Sequence, residues 1–201
     1  MKRLGDKETQ AMKILIDPGH GGDASGAVYD NAAEEDITLA VGLHAANILR
    51  SLGHDVYLTR DRDTGVTLSH RLAMIEKAGC EAMVSIHCNA SASGEKAHGT
   101  ETYYRDDRDY PLANCLQQVF ITYAGMKDRG VLQDQGALGK RLTVLNNLDI
   151  PSALIELGYL SNPHDRAYLI ENMNTAGELV AHGADWFAHL KAGTNKEIWP
   201  A

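Results

Sequence analysis

Ile14-Leu15-Ile16-Asp17-Pro18-Gly19-His20-Gly21-Gly22 is the stretch whose reading decides the fold class. Met12 to Asp17 is a short apolar run stopped by Pro18-Gly19, so it reads as a buried strand entering a turn. A glycine-rich loop, Gly19 to Gly26, follows it. Ile37, Val41, Ala45, Ile48, Leu49 and Leu52 then recur at the spacing of one buried helical face. Gly53 stands where a left-handed residue closes such a helix. Strand, glycine loop and amphipathic helix in succession are the opening of an α/β fold.

The alternation continues outward. Asp55 to Thr59 reads as a second strand, and Leu68, Leu72 and Ile75 as a helical stripe ending at Gly79. Ala82 to Ile86 is another short strand, and Thr100 to Tyr104 an alternating one nearer an edge. Asp109 and Pro111 suit a helix start, with Leu112, Leu116, Val119, Phe120 and Tyr123 on its apolar face. Leu142 to Leu145 fits a short strand or a helix end equally, and Ser152 to Ile155 is a strand introduced by Pro151. Asn162-Pro163 suits a helix start. Thr175 with Glu178 fits a capping box before Leu179, Val180, Trp186 or Phe187, and Leu190.

No repeat or linker divides the chain, and its 201 residues suffice for one well-buried core. The reading is a single domain over 12–191, flanked by tails at 1–11 and 192–201. The sheet is expected to be mostly parallel, with helices on both faces.

Lysine and arginine number 19 against 27 aspartates and glutamates, a net charge of −8. With no basic stripe, nucleic acid is not expected as a partner. No apolar run reaches the length of a membrane span, and Met1 to Ala11 lacks the apolar region of a secretory signal. Cys80, Cys88 and Cys115 have no zinc-knuckle spacing and read as buried, reduced thiols.

Open α/β sheets bind ligands beyond the carboxyl ends of their strands, and four candidates for chemistry stand at such places. His20 follows the first strand, Glu34 precedes the first long helix, His87 ends the Ala82–Ile86 strand and Glu156 ends the Ser152–Ile155 strand. Two histidines and a carboxylate make a catalytic zinc set, and a second carboxylate can take a proton from water. Each has a plainer alternative. His20 could bond backbone, Glu34 and Glu35 could be first-turn acids, and His87 could be a core histidine. Glu156 is harder to explain away, because a carboxylate between apolar neighbours is costly to bury without a function.

The same residues carry a resemblance. The blocks ILIDPGHGG (14–22), EEDITLA (34–40), LTRDRD (58–63), VSIHCNAS (84–91), HGTETYY (98–104) and LIELGYLSN (154–162) resemble, in order, the zinc-dependent N-acetylmuramoyl-L-alanine amidase family, type 3. The resemblance implies a twisted sheet of about six strands with helices on both sides. It implies one zinc ion held by His20, Glu34 and His87, with Glu156 as the catalytic acid–base. The family usually has lysine where this chain has Glu35; alignment on Asp36-Ile37-Thr38-Leu39 favours Glu34 as ligand, with Glu35 as rival. The family also often has an arginine where this chain has Asn146-Asn147, which removes any substrate contact made there.

The implied reaction is hydrolysis of the amide between N-acetylmuramic acid and L-alanine in bacterial peptidoglycan. Asp17 is a candidate partner orienting His20, and Asn89 a candidate substrate contact. Cys88, if extended, points away from His87. His98 is the other candidate ligand; His44, His54, His70, His164, His182 and His189 read as surface or helix histidines. Between Arg105 and Lys140 there is one clear helix and little room for an active-site plug, so no obligatory protein activator is expected. Action on the cell wall without a visible leader suits leaderless export, phage-type release or a trimmed chain. The competing functions are a zinc carboxypeptidase and a wall-binding domain without metal.

Overall fold

The computed structural model describes residues 11–194 apart from Ser93, Lys140 and Asn147. Of the expected tails at 1–11 and 192–201, residues 1–10 and 195–201 lie outside the described residues, as does Asn147 of the Asn146-Asn147 departure. The elements run β1 (Lys13–Pro18), β2 (Val28–Tyr29), β3 (Ala32–Ala33), α1 (Glu34–Ser51), β4 (Asp55–Leu58), α2 (Leu68–Ala78) and β5 (Ala82–Asn89). They continue with β6 (Thr100–Tyr104), α3 (Tyr110–Tyr123), β7 (Asp128–Gln133), α4 (Asp134–Leu138), β8 (Ser152–Tyr159), α5 (Pro163–Glu171) and α6 (Met173–Lys191).

Six strands form one sheet in the order β4-β1-β5-β8-β6-β7. The pairs β1–β4, β1–β5, β5–β8 and β6–β7 are parallel, and β6–β8 is antiparallel. The expected single α/β domain with a mostly parallel sheet is therefore the observed one. Period-two alternation sorts the core into two layers. Ile14, Ile16, Val84, Ile86 and Ile155 join the buried residues of α1, α3 and α6 on one face. Leu15, Met83, Tyr103 and Leu154 pack with Ile75 of α2, Leu145 and Leu148 on the other. Asp17, Ser85, His87, Glu156 and Glu101 share that second face by alternation.

Several elements differ from the sequence reading. β7 was not anticipated, because Asp128-Arg129-Gly130-Val131-Leu132-Gln133 has no apolar run; it is an edge strand and only partly buried. The short helix α4 also occupies the region where one helix was expected. Leu142 to Leu145 resolves into a 3-10 turn over Thr143–Leu145. Thr175 does not cap α6, which begins two residues earlier after Asn172. Asn162 does cap α5, accepting from the backbone N–H groups of His164 and Asp165. Tyr123 and Leu190, assigned to apolar faces, are exposed near the ends of their helices. Thr194 bonds His189 through backbone and side chain, so the ordered chain continues past Lys191.

His54 is buried rather than superficial. Its Nδ1 accepts from the Met12 N–H, and its Nε2 lies 3.0 Å from Asp185 Oδ1. It ties the start of β1 to α6, a partnership between residues far apart in sequence.

Candidate metal centre and catalytic row

The ligand turn is built by β1, which carries the chain to Pro18 at the carboxyl edge of the sheet. His20 follows with φ +62°, in the left-handed region that a non-glycine residue occupies only when its surroundings hold it there. Two buried arginines supply that hold. Arg60 donates to the carbonyls of Pro18, Gly19 and Glu35, and Thr38 Oγ1 also donates to the Gly19 carbonyl. Arg71 donates to the carbonyls of Pro18 and His20.

Asp17 secures Arg71 rather than His20. One carboxylate oxygen takes Arg71 Nη1 and the Thr59 hydroxyl at 2.7 Å; the other takes the Ser85 hydroxyl at 2.7 Å. Asp17 therefore acts on the ligand turn through the guanidinium, which grips the backbone on both sides of Gly19. The direct contact with the His20 ring expected from sequence is replaced by this indirect one, because β1 alternation aims Asp17 at β4, β5 and α2.

Three donors converge above this turn. Glu34 Oε1 lies 3.1 Å from His20 Nε2 and 2.9 Å from His87 Nδ1. One ligand atom from each of His20, Glu34 and His87 falls within 4.8 Å of the others. Glu34 is fixed from behind, with Oε2 accepting from the Ala27 N–H and Oε1 from the Cys88 N–H, each at 2.9 Å. Two glycines make room. A Cβ on Gly19 would stand 2.4 Å from His87 Cε1, and one on Gly26 would stand 2.5 Å from Glu34 Oε2.

The electrostatics suit a cation. Burial acts to raise the Glu34 carboxyl, but hydrogen bonds from His20 and His87 outweigh it and hold it well below the usual carboxylate range. Burial acts to lower His87, yet the hydrogen bond to Glu34 and the charge of Glu156 carry it upward. Two imidazole nitrogens and a carboxylate oxygen, with no thiolate, form a group that could hold a divalent metal ion. Cys88 lies buried on the other face of β5, its thiol pushed well up by burial.

Glu35 stands apart from this cluster. Burial and the charges of Asp63 and Asp36 raise its carboxyl. His98 is exposed, with Nδ1 3.2 Å from the Lys96 carbonyl, and is outside the three-residue group.

Glu156 is the register partner of His87 on β5 and of Glu101 on β6. Burial raises its carboxyl from the ordinary 4.5 to about 7, and its Oε2 has no hydrogen-bond partner. A buried carboxylate oxygen without a donor can accept a proton from water and pass it on. Beyond it, Glu101 is enclosed: Oε1 accepts from Asn89 Nδ2 at 2.7 Å and the Tyr103 hydroxyl at 2.9 Å, and Oε2 from Arg129 Nε at 2.5 Å. The side-chain amide of Asn89 is thus engaged inside the protein.

A family model described as N-acetylmuramoyl-L-alanine amidase matches residues 14–184. The chain belongs to the N-acetylmuramoyl-L-alanine amidase family. Among solved structures, the amidase AmiC2 of Nostoc punctiforme superposes with a TM-score of 0.80 at 34% identity, covering 86% of this chain and 94% of that one. CwlD of Clostridioides difficile, solved in complex with the GerS lipoprotein, gives 0.80 at 27% identity over 89% of this chain and 99% of its own. The probable cell wall amidase LytH of Staphylococcus saprophyticus is 33% identical over 176 residues. That match covers 86% of this chain, which spans 56% of LytH. As an N-acetylmuramoyl-L-alanine amidase, the chain is a peptidoglycan hydrolase.

Sequence reasoning missed Arg71, Glu101 and Arg129. Glu101 was within reach, since it sits inside the HGTETYY block. Arg71 gives no local signal on an otherwise ordinary amphipathic helix.

Proposed function

We propose that this amidase is zinc-dependent, with His20, Glu34 and His87 as the ligands and Glu156 as the acid–base. The observation that carries the reading is the meeting of three donors within 4.8 Å beside a buried carboxylate with an unpartnered oxygen. Zinc bound there supplies Lewis acidity, polarising the amide carbonyl and bringing the pKa of water down to roughly 7. Glu156 accepts the proton of the attacking water and delivers it to the departing nitrogen of the peptide's L-alanine. Arg60 and Arg71 hold the ligand turn so that His20 keeps its strained backbone through the cycle.

The catalytic unit is residues 12–191 and acts on the bacterial cell wall. It works without an obligatory protein activator: among the described residues, the stretch from Arg105 to Arg141 holds one long helix, packed into the core through Leu112, Leu116 and Phe120, and the five-residue α4. Many-fold stimulation by a purified partner protein would overturn that independence.

The test is zinc content and peptide release from purified wall, wild type beside His87→Ala. About one zinc per chain and release of stem peptides by wild type, with both lost in the variant, support the reading. Wall binding without zinc or release in either protein overturns it.

A further inference from the structure

The row of side chains that starts at His87 and passes through Glu156 and Glu101 ends on the guanidinium of Arg129. This arginine is pinned in two ways. Its Nε donates to Glu101 Oε2 at 2.5 Å, and its Cζ lies 4.8 Å from the centre of the Tyr159 ring. Glu101 is itself held by Asn89, Tyr103 and the Tyr159 hydroxyl. The guanidinium is therefore a fixed group, and 31% of its side chain remains exposed. Among the described residues, Nη1 and Nη2 donate to no protein atom. Arg60 and Arg71, by contrast, are buried and spend their donors on the ligand turn.

A planar fork with two uncommitted nitrogens matches a carboxylate. Its position says which one. In the proposed reaction the carbonyl meets the donors His20, Glu34 and His87, and Glu156 protonates the departing nitrogen, so the row His87–Glu156–Glu101 continues towards the leaving peptide. β8 and β7 are separated by one strand, which sets the two backbones about 10 Å apart. Two residues of extended peptide span about 7 Å, and an arginine side chain covers the rest. The glycan is uncharged along its N-acetylated sugars; the peptide carries the carboxylates.

We propose that Arg129 is a specificity-determining residue that receives a carboxylate borne by the second residue of the leaving peptide, with Glu101 and Tyr159 as its positioning residues. The proposal rests on the amidase reading above.

The test uses two soluble muramoyl peptides that differ only in whether the carboxyl of the second residue is free or carboxamidated. Each is hydrolysed by the zinc-loaded wild type, Arg129→Gln and Arg129→Lys, with zinc content measured in all three. Wild type is expected to favour the free acid by about tenfold or more in kcat/KM, as loss of a charge-assisted hydrogen bond implies. Arg129→Gln is expected to abolish that preference, chiefly through KM, and Arg129→Lys to retain part of it. An equal loss on both peptides in Arg129→Gln assigns a structural role and overturns the proposal, as does a wild type indifferent to the carboxyl. A zinc-loaded wild type that hydrolyses neither peptide overturns the amidase reading, and this inference with it.

Discussion

His87 and Glu156 are register partners on the adjacent parallel strands β5 and β8, so both side chains leave the same face of the sheet. The strands thereby place the His87 imidazole and a buried carboxylate side by side without help from any loop. Paired strands fix side chains more precisely than a loop connection does.

Glu156→Gln keeps the shape of the site and removes the base. It is expected to retain zinc and lose most turnover, measured by metal analysis and peptide release; near-normal turnover would overturn the role of Glu156.

The same variant has a pH signature in the metal-free protein. The folded carboxyl sits at about 7, above its ordinary 4.5, so the folded state holds this proton more tightly than the unfolded chain does. Its stabilising contribution is full below pH 4.5 and is lost as pH rises through about 7. The metal-free Gln variant should melt higher than metal-free wild type at pH 8, with the gap closing towards pH 5. A gap independent of pH would show that Glu156 does not titrate this way.

Glu34 and Glu35 are neighbours with separate surroundings. Glu34→Gln should lower zinc affinity by about tenfold or more, whereas Glu35→Gln should leave it within about twofold. Titration of the metal-free proteins with zinc reads both, and the reverse order would move the ligand to Glu35.

Gly19→Ala adds a methyl group where the His87 ring already stands. The ring has to move, so zinc affinity should fall by about tenfold or more while the far-ultraviolet circular dichroism stays that of the wild type. Unchanged affinity would show that the ring has space to yield.

Asp17→Ala leaves Arg71 buried without its counter-ion. Breaking a buried pair by removing one partner costs about 3–5 kcal/mol, which a denaturant melt of the metal-free protein would show. A loss under about 1 kcal/mol would mean that water replaces the carboxylate.

The strand–turn–helix at Met12 to Gly53, the helix start at Asn162-Pro163 and the residues that gather as His20, Glu34 and His87 were legible in the sequence. Each is a local matter: apolar spacing, turn chemistry and capping act within a few residues. The family blocks added the order of the ligands. What stayed hidden depended on contacts between distant segments. β7 escaped notice because an edge strand buries little, and so needs no apolar run. His54 looked superficial until α6 brought Asp185 to it.

Tertiary structure alone decided which neighbouring glutamate faces the histidines, since Glu34 and Glu35 differ by a rotation about one helix start. It decided that Asp17 bonds Arg71, 54 positions away, because the alternation of β1 aims the carboxylate at the face that α2 covers. It also decided that Glu101 and Arg129 stand in line with Glu156, because only the pairing of β6 with β8 and β7 brings them together. The sequence by itself determined which chemistry is available; the pairing of strands determined where each group stands, because register is a relation between segments that no single segment contains.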